Sequence, residues 1–420
     1  MHFATHRICA SALFAALAFV AGASAAPATA KPGHDGWHRV HTGKPAHRAV
    51  SHARPIRTQR RATPAAAPAS TSSRYASRVG FASHTDYMSE ADGAALLRRA
   101  RDIGVTWIRE DFGWSWIEGR GKGQFDWTVT DRLMRNTSKL GINVVAMAGY
   151  APAWANGGHG DDKFPPLNPR DYADFVVAVA NRYGKNGAFW AANPGLPQRP
   201  LGAIELWNEP WLWTFWKPEP DPARYAALVR AAAPAIKAVH PEIEVLMCGD
   251  LQLGYSDSRD YTNGTHRNWE YGFLARVLKQ DFASGSVDAY SVHPYSQNFG
   301  PYQASISWFA DQSYAQQWLY QKLVLTRDMT RGAGKAKPLW NTEFGWSTNG
   351  DVDETTQAQY LHDALKRAVE EWGGFVERSF IYVLEKPHNG DRDGGYSLFH
   401  DDMSPKPAWL MLQRQLSAGS

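Results

Sequence analysis

The chain has 420 residues, 45 Lys and Arg against 41 Asp and Glu, a net charge of +4, 18 tryptophans and two cysteines. The positive excess lies at the start: from Arg74 onward 36 basic residues face 40 acidic ones, which excludes a nucleic-acid footprint on the folded part. No stretch approaches the roughly 18 uninterrupted apolar residues of a membrane span, and two cysteines are too few for a disulfide framework.

In chain order, the first segment has a cationic start (His2, His6, Arg7), an apolar run from Ile8 to Val20 and small residues at Ala23-Ser24-Ala25. That is the pattern of a signal peptide spanning residues 1–25. A soluble mature protein, exported to the periplasm or the extracellular space, is expected. Cleavage removes Cys9 and leaves Cys248 in the apolar run Val245-Leu246-Met247-Cys248, the setting of a buried structural thiol. Residues 26–73 form a basic Pro/Ala-rich linker with eight Lys or Arg and a single acid, Asp35. Its lack of large apolar side chains predicts disorder. Its charge suits contact with anionic polysaccharide or the cell envelope, and a solvated spacer is the simpler reading.

Residues 74–420 read as one domain. Eight β-branched or aromatic runs predict strands at Arg78 to Ser83, Val105 to Asp111, Asn143 to Tyr150, Ala203 to Glu209, Glu244 to Asp250, Val287 to Tyr295, Pro338 to Trp346 and Arg378 to Glu385. Amphipathic segments follow them: Glu90 to Ile103, Asp126 to Leu140, Pro169 to Tyr183, Asp221 to His240, Trp269 to Gln280, Tyr314 to Arg331, Thr355 to Trp372 and Lys406 to Leu416. Eight strand-then-helix units imply parallel strands with crossover helices, and the economical closure is an α/β fold of the (β/α)8 TIM-barrel type. An open doubly wound sheet is the alternative, but Gly80-Phe81-Ala82-Ser83 is not a phosphate-binding turn.

Catalytic groups in such a barrel sit where strands end at the C-terminal face. The fourth run ends in Asn208-Glu209-Pro210 and the seventh in Glu343-Phe344-Gly345-Trp346, 134 residues later. That separation is three strand-and-helix units, so the two glutamates face each other across the mouth. Facing carboxylates suit glycosidic cleavage, in which one protonates the leaving oxygen while the other attacks the anomeric carbon.

Trp207-Asn208-Glu209-Pro210 followed by Thr342-Glu343-Phe344-Gly345-Trp346 resembles the clan A retaining glycoside hydrolases, from about Ser77 to the C-terminus. The resemblance implies that Glu209 is the acid/base and Glu343 the nucleophile, with no cofactor. It further implies that Arg109 bonds the nucleophile, that Asn208 contacts the sugar 2-hydroxyl, and that His293-Pro294-Tyr295 supplies a histidine near the acid/base and a tyrosine on the nucleophile. A metal role for His293 is the rival reading, but no second histidine sits at ligand spacing on a neighbouring strand, and no metal is expected. Arg109 to Trp127, Gly149-Tyr150-Ala151-Pro152-Ala153-Trp154, and Tyr396-Ser397-Leu398-Phe399 with Ser404-Pro405-Lys406-Pro407 are similar to family 39 and its exopolysaccharide-degrading relatives. Family 5 shares much of this pattern. Strand three lacks family 5's typical histidine, and strand eight carries Tyr382 and Glu385 where a tryptophan floor is common.

Tryptophans cluster just past strand ends, at Trp114, Trp116, Trp154, Trp211, Trp213, Trp216 and Trp346. Flat aromatic faces there suit an extended saccharide. Trp211 to Trp216 is the expected platform, and Tyr150, Trp154, Trp346 and Glu385 complete the expected binding set. Long stretches at Trp211 to Pro220, Gly254 to His266 and Gln297 to Trp308 favour an open cleft. The function read from sequence is a monomeric retaining β-glycoside hydrolase, endo-acting on a bacterial exopolysaccharide or β-glycan. A polysaccharide-binding barrel without activity is the alternative.

Overall fold

The structure is a computed structural model that describes residues 71–251, 272–304, 319–385 and 393–417. The expected signal peptide, nearly all of the linker, the stretch Gly254 to His266, and parts of the expected helices Trp269 to Gln280 and Tyr314 to Arg331 and of the loop Gln297 to Trp308 lie outside the described residues. Strands β1 (Val79–Ala82), β2 (Trp107–Gly113), β3 (Asn143–Gly149), β4 (Ala203–Leu206), β5 (Glu244–Cys248), β6 (Ala289–Val292), β7 (Leu339–Phe344) and β8 (Val376–Tyr382) form a closed barrel in sequence order. Every pairing is parallel, and β8 closes on β1 through Val79↔Ser379 to Ala82↔Tyr382.

Around it run α1 (Glu90–Asp102), α2 (Thr128–Leu140), α3 (Pro169–Tyr183), α4 (Pro222–Val239), α5 (Phe273–Leu278), α6 (Lys322–Gly332), α7 (Glu354–Lys366) and α8 (Pro407–Ser417). Their starts are written locally. Ser89 caps α1 by accepting from the Asp92 amide, and Asn168 caps α3 ahead of Pro169. Asp221 caps α4 ahead of Pro222, and Asp353 caps α7. Each capping oxygen takes an amide that the helix itself leaves unpaired. No described helix is long and apolar enough to cross a membrane.

The barrel interior is packed, not open. Val145, Ala203, Leu246, Ala289, Trp340 and Phe380 fill its lower part with Trp107 against them. Trp340 stacks on Phe380 and meets Trp107 edge-on. The Arg378 guanidinium lies over both indoles, 4.1 Å from Trp340 and 4.3 Å from Trp107. Small residues make the room: a Cβ at Gly80 would stand 2.6 Å from the Phe380 ring, and one at Gly202 would stand 2.7 Å from Trp107.

All strands but β2 end one to three residues before their expected limits, and at two of them the cause is local. Strand β4 stops at Leu206 because Trp207 (φ 76°) and Glu209 (φ 42°) lie in the left-handed region, which leaves the extended ladder. Strand β6 stops at Val292 because the Tyr295 amide turns back to the His293 carbonyl at 2.9 Å and Pro294 has no amide to give. Both departures fall at the mouth. Cys248 is fully buried, its thiol donating to the Trp207 carbonyl at 3.2 Å, and burial pushes that thiol well above its ordinary range.

Candidate active site

Residues of β2 alternate inward and outward, so Arg109 faces the interior two positions above Trp107. It is 2% exposed, a position a guanidinium tolerates only when its donors are taken. Nε donates to Glu205 Oε2 at 2.5 Å, Nη1 to Glu343 Oε1 at 2.7 Å and Nη2 to Asn208 Oδ1 at 2.8 Å. A guanidinium only donates, so it fixes the Asn208 amide with its oxygen toward Arg109. The Asn208 NH2 is left to donate, and the Tyr150 hydroxyl takes a bond from that side chain.

Glu343, one residue before the end of β7, takes a second bond from the Tyr295 hydroxyl, 2.8 Å from Oε2. Glu209 is met at Oε1 by His293 Nδ1 at 2.9 Å. The backbone that carries Glu209 is strained, and Trp207 anchors it. That indole donates to the Phe215 carbonyl at 2.8 Å and sits edge-on to Tyr150 and Trp216. Left-handed non-glycine residues persist where packing over-determines them, and here the result is a carboxyl aimed into the barrel axis.

Oxygens of Glu209 and Glu343 lie within 4.8 Å of each other, yet their electrostatics diverge. Burial raises the Glu209 carboxyl above its ordinary value, more than its bond and charge interaction with His293 lower it. Burial would raise Glu343 too, but the charges of His293 and Arg109 and the Tyr295 hydroxyl outweigh it and hold that carboxyl low. His293 titrates high: burial opposes its charge, and Glu343 and Glu209 together overcome that. One carboxyl thus keeps its proton while its neighbour loses it, the division of labour an acid and a nucleophile require. Donor atoms of Glu209, His293 and Glu343 are close enough to ligate an ion, but they are bonded to one another, to Arg109 and to Tyr295. The positive charge at the site is already supplied by the guanidinium.

Arg109, Asn208, Glu209, His293, Tyr295 and Glu343 therefore form one bonded network. Tyr150, next to Asn208, carries the Lys163 ammonium 3.6 Å above its ring. Glu385 is 3% exposed and pairs with His84, whose Nδ1 is 2.6 Å from Oε1. His84 meets the ring of Tyr382, and Tyr295, Tyr382 and Tyr396 pack on one another edge to face. These tyrosines wall the nucleophile where a tryptophan floor would otherwise stand.

The tryptophans divide differently from the expectation. Trp211 is 1% exposed and packs edge-on against His293 at 5.5 Å. Trp216 is buried against Trp207 and Tyr225. Trp346 is buried too, donating to the Phe299 carbonyl and packing on Tyr320 and Tyr360. These three offer no face to a saccharide, because their planes are used in packing. Trp154 is half-buried, tied to the Glu118 carbonyl at 2.7 Å. Trp213 is the exposed member of the expected platform, at 43%, with the Lys217 ammonium 4.0 Å over its ring.

Sequence reasoning missed Glu205 and Thr342, both fully buried beneath the carboxyl pair. Thr342 Oγ1 donates to Glu205 Oε1 at 2.9 Å and stands 3.0 Å from His293 Nε2. A signal was present: an acid inside the apolar run Ala203-Ile204-Glu205-Leu206 demands a buried cation, and Arg109 was the candidate.

No family model matches the chain. Among curated proteins, the β-xylosidase of Geobacillus stearothermophilus is 28% identical over 297 residues, 68% of this chain and 53% of that protein. The chain thus spans about half the length of that relative. Among solved structures, the fold matches a family 39 glycoside hydrolase from the gut symbiont Bacteroides cellulosilyticus WH2 with a TM-score of 0.58 and 22% identity, over 82% of this chain and 64% of that one. It also matches the endo-β-1,4-mannanase of Thermotoga petrophila, with a TM-score of 0.54 and 17% identity over 81% of this chain and 76% of that one. In sequence to the first and in barrel architecture to the others, this chain resembles glycoside hydrolases of clan A.

Proposed function

We propose that the chain is a retaining β-glycoside hydrolase. The observation that carries this reading is the pair Glu209 and Glu343, which face each other with one oxygen of each within 4.8 Å and are pushed in opposite directions. Retention needs carboxyls about 5 to 5.5 Å apart, whereas inversion needs about 6.5 Å or more, to admit a water. Glu343, ionised and aligned by Arg109 and Tyr295, attacks the anomeric carbon. Glu209 gives its proton to the departing oxygen. A water that then loses its proton to Glu209 displaces Glu343 from the glycosyl-enzyme. Asn208, its oxygen held by Arg109, has its NH2 to donate, and we assign that donor to the sugar 2-hydroxyl.

The substrate we infer is a polysaccharide cut within the chain, a bacterial exopolysaccharide or a β-glycan, met outside the cytoplasm after export. Trp213 and Tyr87 support it: both are exposed and lie on loops that leave β4 and β1 at the mouth, where they suit sugar rings. The test is product stereochemistry with a nucleophile variant as control. The wild type should release the β-anomer first, by proton NMR, and Glu343→Ala should fall to background while its circular dichroism is unchanged. An initial α-anomer, or no reducing ends from a panel of exopolysaccharides, β-glycans and aryl β-glycosides, overturns the reading.

A further inference from the structure

Beneath the carboxyl pair runs a line of hydrogen bonds in which each donor is dictated by the one before it. Arg109 Nε can only donate, and it donates to Glu205 Oε2 at 2.5 Å. The other Glu205 oxygen accepts the Thr342 hydroxyl proton at 2.9 Å. With its one proton spent there, Thr342 Oγ1 has only lone pairs to offer His293 Nε2, 3.0 Å away. His293 must therefore carry a proton on Nε2. Its Nδ1 is left to face Glu209 Oε1 at 2.9 Å, and that contact holds a single proton, on the carboxyl or on the ring.

We propose that Glu205, acting through Thr342, is a positioning residue that fixes the His293 tautomer with hydrogen on Nε2 and so reserves Nδ1 for the proton of Glu209. The inference rests on the retaining-hydrolase reading for its kinetic consequence and on geometry alone for the tautomer. With the shared proton on the carboxyl, His293 accepts from Glu209 and the acid is loaded before bond cleavage; with it on the ring, His293 carries the charge that holds Glu343 low. After Glu209 has given that proton away, it is again a base for the incoming water, and no side chain in the line has to turn. The groups facing His293 are consistent with this assignment. Glu343 Oε2 is 3.6 Å from Nδ1 and Glu205 Oε1 is 4.0 Å from Nε2. Arg109 lies across the barrel. Asp250 accepts the His293 amide at 3.3 Å and is neutralised by Lys322 at 2.8 Å. Tyr295 and the Trp211 ring close the remaining sides. Thr342 is thus the partner that sets which ring nitrogen bears hydrogen.

Replacing Glu205 by glutamine should reverse the line. The guanidinium needs an acceptor, so the amide oxygen turns to Arg109 and the NH2 to Thr342. The threonine hydroxyl then donates to Nε2, the neutral ring carries its hydrogen on Nδ1, and it donates to an ionised Glu209. The experiment measures kcat/KM against pH for wild type, Glu205→Gln, Thr342→Val and Thr342→Ser on two aryl β-glycosides, one with a poor and one with an activated leaving group.

In Glu205→Gln and Thr342→Val the basic limb should move to lower pH by roughly one unit, a tenfold change in proton affinity. The loss should fall on the poor leaving group, which needs the acid, and spare the activated one. Thr342→Ser, which keeps the hydroxyl, should restore the wild-type profile. Alongside, 15N NMR of histidine-labelled wild type at alkaline pH should show His293 protonated on Nε2, assigned by the signal lost in His293→Asn. Unshifted limbs with equal losses on both leaving groups, in variants that melt like the wild type, overturn the proposal. So does an Nδ1-protonated His293 in the wild type. The NMR arm needs no turnover, so an inactive protein with the expected tautomer would sink the hydrolase reading and leave the tautomer assignment standing.

Discussion

Arg109 shows how much of the site one side chain organises. Its three nitrogens hold Glu205, Asn208 and Glu343, so an alanine there strands two buried carboxylates. Breaking a buried pair costs about 3–5 kcal/mol, and Arg109→Ala should lose about that much in urea denaturation. It should also raise the Glu343 carboxyl, moving the acidic limb of the kcat/KM profile to higher pH. The sign follows from the direction of the shift: a depressed carboxyl contributes stability above its unfolded value and loses it as pH falls through the folded one. An acidic limb that stays in place in Arg109→Ala would remove the guanidinium from the account of Glu343. At this scale the sequence was legible where motifs end strands, and the structure brings Arg109, Asn208, Glu209, His293, Tyr295 and Glu343 into one network. Glu205 was legible only as an acid inside an apolar run, and Thr342 was not legible, because a motif does not report which side chains meet beneath it. Nor could tryptophan counts tell the exposed Trp213 from the buried Trp211 and Trp346.

At the scale of elements, the junction of β1 and β2 carries an unusual acid. Glu110 points out of the barrel and is 1% exposed. It accepts from Ser83 Oγ at 2.6 Å and from the amide and hydroxyl of Thr85 at 2.9 and 2.8 Å. Burial outweighs those donors and pushes its carboxyl up to about 8. The unfolded chain gives up this proton in the ordinary carboxylate range, while the folded chain holds it to about 8. Between those values the unfolded state binds fewer protons, so stability falls as pH rises through that window and levels off above it. Glu110→Gln should flatten the decline, and calorimetric melting temperatures from pH 5 to 8 should fall more steeply in the wild type than in the variant. An identical slope in both would refute it. Strand existence was readable from apolar runs, and helix existence from amphipathic spacing, with starts within a residue or so of those the caps Ser89, Asn168, Asp221 and Asp353 set. The ends of β4 and β6 were not, since the positive φ of Trp207 and Glu209 leaves no trace in hydrophobic pattern.

At the scale of the whole molecule, eight alternating units made the closed barrel legible, because parallel strands with short crossovers have few other ways to bury both faces. What fills the barrel was not legible. Gly80 reads in the sequence only as a glycine outside any phosphate turn, and its purpose is to admit the Phe380 ring. Trp340 is the centre of that packing, touching Trp107, Phe380 and Arg378. Trp340→Ala should cost about 3–5 kcal/mol in denaturant midpoint at unchanged m-value, and a loss below about 1 kcal/mol, the scale of an ordinary substitution, would show that the floor is dispensable. Among the described residues, Arg378 across two indoles closes the barrel at its lower end, so the site opens at the mouth. Under the proposed mechanism the hydrolytic water must arrive by the same opening through which the severed saccharide departs. Departure and arrival are then sequential, and a sugar that lingers in the doorway takes the place of water as acceptor. A barrel packed shut below would thus set saccharide and water in competition for the glycosyl group at the mouth.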